Sequence, residues 1–176
     1  MHPARTRFLF CLAFIACATS VGAAVYLQFT YNLTPCLLCH VQRALLLACA
    51  LICLAASVHG PTTLRTWHRY ALALLVMALL GAGVAGAHIG SQTSSPEQLA
   101  LAVTHVKEGF SLLALPAWGG ILEHALLSCA EINWSLFGIS LPEWSLLAFV
   151  GAILLALYLL LVEIPRKILP NDQTLV

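Results

Sequence analysis

Apolar residues fall along this chain in four long unbroken runs, not in an alternating pattern. The runs cover residues 8–26, 41–58, 70–88 and 144–162. A helix needs about 20 consecutive apolar residues to cross the hydrocarbon core of a bilayer, and each run comes close to that. No two-residue alternation of the kind a membrane barrel requires is visible. Helices are then the remaining way to satisfy backbone polar groups in lipid. The pattern predicts an all-α integral membrane four-helix bundle. It is a single membrane domain over residues 1–176, with connecting segments at 30–40 and 89–143.

Composition sharpens this picture. Hydrophobic residues make up 61% of the 176 residues and charged residues only 9%. A soluble domain averages about 25% charged residues, so too few charges remain here to cover a water-exposed surface. The net charge of +1 offers no basic field for nucleic acid. The distribution of charge orients the bundle. Arg5, Arg7, Arg65, Arg69, Arg166 and Lys167 fall at one end, whereas Arg43, Lys107, Glu97, Glu108, Glu123, Glu131 and Glu143 fall at the other. The positive-inside rule then predicts that both termini are cytoplasmic and that segments 30–40 and 89–143 face outward. Arg5 and Arg7 followed by an apolar run and Val21-Gly22-Ala23-Ala24 also fit a cleavable signal peptide, but the run is longer than the usual apolar region of one.

Smaller features complete the outline. Gly81 with Ala85, and Ala18 with Gly22, place small residues four apart, a spacing that lets membrane helices approach closely. His59-Gly60-Pro61 ends the second run sharply. Trp118, Trp134 and Trp144 suit a membrane interface. In Gly119–Cys129, Ile121, Leu122, Ala125 and Leu126 recur at helical spacing. They predict a short amphipathic helix, either lying on lipid or packed beneath a loop.

Seven cysteines divide by position. Cys11, Cys17, Cys49 and Cys53 lie inside apolar runs, where cysteine behaves as a small hydrophobe. Cys36 and Cys39 form a Cys-x-x-Cys pair at the outer start of the second span, on the side where a disulfide persists. A helix N-terminus there stabilises a thiolate. Arg43 lies four residues after Cys39, on the same helix face. An ionisable residue at the membrane boundary is a functional candidate, and an arginine at that depth can hold a quinone oxygen. His88 closes the third span at the same boundary, placed to hydrogen-bond a quinone carbonyl or donate a proton. Cys129 is the single cysteine of the long outer segment, free to pair with Cys36, Cys39 or another protein.

Two runs carry a family resemblance. Pro35-Cys36-Leu37-Leu38-Cys39-His40-Val41-Gln42-Arg43 resembles the first outer loop of the bacterial disulfide-bond formation protein B family, DsbB. Residues 129–144, from Cys129 to Trp144, resemble its second outer loop. The resemblance implies a four-helix bundle that reoxidises a periplasmic DsbA-like thiol oxidase. It further implies that electrons pass to a membrane quinone, ubiquinone or menaquinone. On it, Cys36 and Cys39 are the quinone-facing pair, Arg43 the quinone-site arginine, His88 a residue near the quinone and Cys129 the second cysteine of an outer pair. The chain departs from the family in one respect. No cysteine occurs between Ile89 and Ser128, so the first cysteine of the usual outer pair is missing.

Three other chemistries compete for the same residues. Cys36-Leu37-Leu38-Cys39-His40 also fits the c-type haem attachment pattern, with His40 as an axial ligand. Cys36, Cys39, Cys129 and a histidine could ligate zinc, though an oxidising compartment favours disulfides over a metal. A static disulfide in a non-enzymatic membrane protein is the third.

Overall fold

The computed structural model describes residues 3–60, 63–112, 116–130 and 135–163. Glu131, Trp134, Arg166 and Lys167 lie outside these, as does the side chain of Arg5. Four helices form the bundle: α1 (Pro3–Thr30), α2 (Leu37–His59), α3 (Leu64–Thr93) and, after the outer segment, α6 (Leu141–Glu163). Each contains a stretch long and apolar enough to cross a membrane. Between α3 and α6 lie α4 (Pro96–Leu112), α5 (Pro116–Ser128) and a two-stranded hairpin of β1 (Ser135–Leu136) and β2 (Ile139–Ser140).

Every spanning helix outruns its apolar stretch, because helix ends follow caps and not hydropathy. α2 starts at Leu37, so His40 and Cys39 belong to its first turn and not to a loop. It ends where Gly60 adopts φ +51° and donates its N–H to Ala56 O, a left-handed cap that glycine adopts without strain. α3 runs from a Thr63 cap, whose hydroxyl accepts from Thr66 N–H, five residues past His88 to Thr93. His88 is therefore not the end of the helix but lies within it. At α6, Ser140 and Glu143 form a capping pair, with Glu143 Oε2 accepting from both the N–H and the hydroxyl of Ser140.

The core of the bundle is built from small residues on facing helices. Ala71, Ala78 and Ala85 of α3 and Ala152 and Ala156 of α6 are buried together with Ala50 and Ala56 of α2. Close approach of this kind drives packing in lipid, which gives no hydrophobic contrast between helices. Gly81 of α3 marks a point of close approach to α6. A Cβ placed there would come within 2.1 Å of Cε1 of the Phe149 ring on α6. Gly22, expected to act in the same way, has nothing within 4 Å and faces outward. α1 contributes Phe10 and Cys17 to the core. Phe10 meets Trp67 edge to face, with ring centroids 5.1 Å apart. Cys17, Cys49 and Cys53 are buried free thiols in this core, and Cys11 is an exposed one.

The segment between α3 and α6 is more helical than its composition suggests. α4 begins with a reciprocal capping box in which Ser95 N–H donates to Gln98 Oε1 and Gln98 N–H donates to Ser95 Oγ. Lys107 of α4 pairs with Glu123 of α5 at 2.7 Å. Three of the four residues of the expected α5 stripe are packed and do not simply rest on lipid, whereas Ile121 is exposed. Leu122, Ala125 and Leu126 join Cys129 against Leu38 of α2 and Val103 of α4. Trp118, Ile121 and Leu127 stay exposed on the other side of α5. At the hairpin tip Phe137 and Gly138 both have positive φ, the geometry of a two-residue hairpin turn.

Candidate redox site

The start of α2 carries the site. Cys36 occupies the N-cap of that helix, with extended backbone. The partial positive charge of a helix N-terminus therefore bears on its sulfur. Cys36 Sγ is bonded to Cys129 Sγ, joining the N-terminal end of α2 to the end of α5 across 93 residues of sequence. The sulfur of Cys39 lies 3.4 Å from that of Cys36. Cys36 Sγ is thus bonded to one cysteine and within 3.4 Å of another. Cys129 is buried, 2% exposed, in the small cluster formed by α2, α4 and α5.

Cys39 faces a different environment. It lines a cavity of about 280 Å³ bounded by Ser20, Ala23, Ala24 and Leu27 of α1, Leu46 of α2 and Trp144 of α6. The walls are mostly apolar, and Arg43, Gln42 and Ser145 supply the polar groups. Arg43 does not snorkel to lipid. Its guanidinium donates to Gln28 Oε1 and, at 3.1 Å, to Ala24 O, both on α1. A guanidinium carries five N–H donors, so these two bonds fix its plane and leave others for the cavity.

His88 is 3% exposed, so it is a buried group and not a marker of the water boundary. Its Nε2 lies 3.8 Å from Cys36 Sγ and its Nδ1 lies 3.2 Å from Gln42 Nε2. The five residues singled out from the sequence therefore converge: Cys36, Cys39, Arg43, His88 and Cys129 all line one small cleft at one end of the bundle. Gln28, Gln42 and Ser145 were not singled out. Gln28 and Gln42 are polar residues within apolar helices, which is itself a functional signal in a membrane span.

The rival chemistries fit less well. A c-type haem needs both cysteine sulfurs as thioethers, but Cys36 Sγ is joined to Cys129. Cys36, His88 and Cys129 bring three donor atoms within 4.8 Å of one another, yet a disulfide has no thiolate to give a metal. His105 and His124 are exposed on α4 and α5, away from the sulfurs.

Adjacent sulfurs able to exchange bonds, opening onto an apolar cavity inside a helical bundle, define a membrane thiol–disulfide oxidoreductase. Comparison with known proteins gives the family. The profile described as "Disulfide bond formation protein DsbB" matches residues 6–159. "Disulfide bond formation protein B 2" of Pseudomonas savastanoi pv. phaseolicola is 48% identical over 175 residues, covering 98% of each chain. "Disulfide bond formation protein B" of Methylococcus capsulatus is 39% identical over 86% of this chain and 90% of its own. "Disulfide bond formation protein B 1" of Pseudomonas aeruginosa is 37% identical over 86% of this chain and 92% of its own. The chain belongs to the DsbB family. It is a multi-pass inner-membrane oxidoreductase that generates disulfide bonds, in a family that uses quinones.

Proposed function

We propose that this protein oxidises a periplasmic DsbA-like dithiol through a three-cysteine relay, Cys129, Cys36 and Cys39. It delivers the electrons to ubiquinone or menaquinone at the Cys39 cavity. The observation that carries this reading is the position of Cys36, bonded to Cys129 and 3.4 Å from Cys39. Both termini are cytoplasmic in this reading, which puts the sulfurs on the periplasmic side.

The relay balances with one loop cysteine. A partner thiolate attacks Cys129 Sγ, the Cys36–Cys129 bond breaks, and Cys36 leaves as a thiolate at the α2 N-terminus. Attack at this sulfur makes the better-stabilised thiolate the leaving group. Cys129 is buried, so docking must first open the cluster of Leu38, Val103 and Leu126 around it. The partner's second cysteine then resolves the mixed disulfide. The partner departs oxidised and Cys129 returns as a thiol. Cys36 and Cys39 now hold the two electrons, and closing the Cys36–Cys39 bond releases them with two protons. Attack of the Cys129 thiolate on Cys36 Sγ remakes the starting bond and frees Cys39.

The cavity fits a quinone head. Its walls are apolar, its size approaches that of small-ligand sites of about 300 Å³ or more, and its charged group is a cation. A quinone bound there supplies a two-electron, two-proton acceptor. Arg43 holds a ring oxygen and Trp144 closes one side.

The test is quinone reduction by the purified protein, with a reduced DsbA-like donor or a small dithiol. Cys129→Ala is expected to stop turnover with the protein donor and to keep it with the small dithiol, through Cys36 and Cys39. Undiminished turnover of that variant with the protein donor would remove Cys129 from the relay. Arg43→Ala is expected to raise KM for quinone about tenfold or more, the loss of one hydrogen bond from a charged donor. An unchanged KM sinks the assignment of Arg43.

A further inference from the structure

Gln42 lines the quinone cavity but has no part in the sulfur exchange just described, and it is a primary amide 4% exposed at one end of an apolar bundle. A buried amide is costly unless both of its ends are bonded. Gln42 faces two partners on two different helices. Ser145 Oγ of α6 lies 3.1 Å from its Oε1, and His88 Nδ1 of α3 lies 3.2 Å from its Nε2. The Ser145 hydroxyl also reaches Pro142 O at 2.8 Å, so its proton is shared between two acceptors.

Hydrogen bonding alone permits the amide to stand either way round. The sulfur decides. Cys36 is in a disulfide and has no proton to offer, so a lone pair on His88 Nε2 would point at sulfur lone pairs. The proton therefore sits on Nε2, directed at Cys36 Sγ, and Nδ1 is left as an acceptor. Nδ1 then needs a donor, which is the Gln42 NH2, and Gln42 Oε1 is left to accept from Ser145. Every polar atom in the chain Ser145–Gln42–His88–Cys36 is satisfied in this arrangement and no other group need move.

We propose that Gln42 is a positioning residue that holds His88 in its Nε2–H tautomer. The imidazole N–H is thereby aimed at Cys36 Sγ, ready to donate to the thiolate when the Cys36–Cys129 bond breaks. The inference deepens the relay reading and rests on it for its purpose, but not for its geometry. Ionisable neighbours of His88 are Cys36, Cys39 and Arg43 from the α2 side and Cys129 from the end of α5. α6 presents uncharged Leu141 and Pro142 there, and Glu143 is turned back onto Ser140.

The experiment reads the tautomer first, by nitrogen NMR of histidine-labelled protein, with the His88 signals assigned by their loss in His88→Gln. The wild type is expected to carry the proton on Nε2. In Gln42→Glu the carboxylate can only accept, and the neutral ring is expected to switch to Nδ1–H. The rate at which a small dithiol opens the Cys36–Cys129 bond is expected to fall about tenfold in Gln42→Leu and, at alkaline pH, in Gln42→Glu. Relative to the wild type at the same pH, the deficit of Gln42→Glu should narrow toward acid pH, where the imidazolium regains an Nε2–H. An Nδ1–H ring in the wild type, or the same tautomer in wild type and Gln42→Glu, overturns the proposal. The NMR measurement needs neither donor nor quinone, so its failure is separate from failure of the relay.

Discussion

Cys36→Ala is expected to abolish quinone reduction with every thiol donor, protein or small molecule, by about a thousandfold or more, as deletion of a reacting nucleophile does. The reason is topological. Cys36 is bonded to Cys129 and lies 3.4 Å from Cys39, so it alone belongs to both sulfur pairs. Electrons arriving at Cys129 reach Cys39 only by exchange at Cys36. The variant also removes a disulfide that bridges 93 residues, and a cross-link of that length stabilises by roughly 4–5 kcal/mol in the chain-entropy account. Lost activity could then reflect lost structure. Cys129→Ala removes the same bond while keeping Cys36 beside Cys39, so it is the matched control. Both variants should melt alike, and only Cys129→Ala should still reduce quinone with a small dithiol. Cys39→Ser completes the set: it should exchange once with the partner at the Cys36–Cys129 bond and then stop. Turnover of Cys36→Ala above a tenth of the wild-type rate would mean that Cys129 and Cys39 pair directly, and the order of the relay would be wrong.

How much of this was legible before the structure depends on what kind of signal each residue carries. The four spans are a one-dimensional property of hydropathy and were readable. The end of the second span was readable from His59-Gly60-Pro61, but the ends of α3 were not, because Thr63 and Ser94 set them through local capping bonds that a hydropathy run ignores. α4 was missed although Ser95-Pro96-Glu97-Gln98 carries a capping box with proline at the first helical position. Its weak apolar pattern, with Val103 as its buried residue, hid it. Cys36, Cys39 and Arg43 share one short stretch of α2, so spacing alone placed them together. His88 and Cys129 come from α3 and the end of α5, and their convergence on Cys36 depends on how three helices pack. Nothing in the sequence chose Cys36 over Cys39 as the partner of Cys129. Gln42 shows the opposite case, since it sat in the motif itself and drew no notice until Ser145 and His88 were seen at its two ends.

The packing that makes this convergence possible is most exposed to damage at Gly81. Gly81→Ala is expected to lower stability by about 1–3 kcal/mol, the usual cost of overpacking a core, read as an earlier melting transition in detergent or bilayer. A Cβ at that position would lie 2.1 to 2.5 Å from three atoms of the Phe149 ring. Phe149 is fully buried, and its ring has little room to swing aside in a core packed on alanines. The helices must then separate. α3 carries His88 and α6 carries Ser145, which meet the two ends of the Gln42 amide, so the same substitution should also slow opening of the Cys36–Cys129 bond. Phe149→Leu gives the methyl space, so the double variant should be more stable than the sum of the two single effects predicts. That sign of coupling is what direct contact requires. Strict additivity of Gly81→Ala and Phe149→Leu would show that α3 and α6 do not meet at this point, and the account of how the helices hold the site would have to be rebuilt around a different contact.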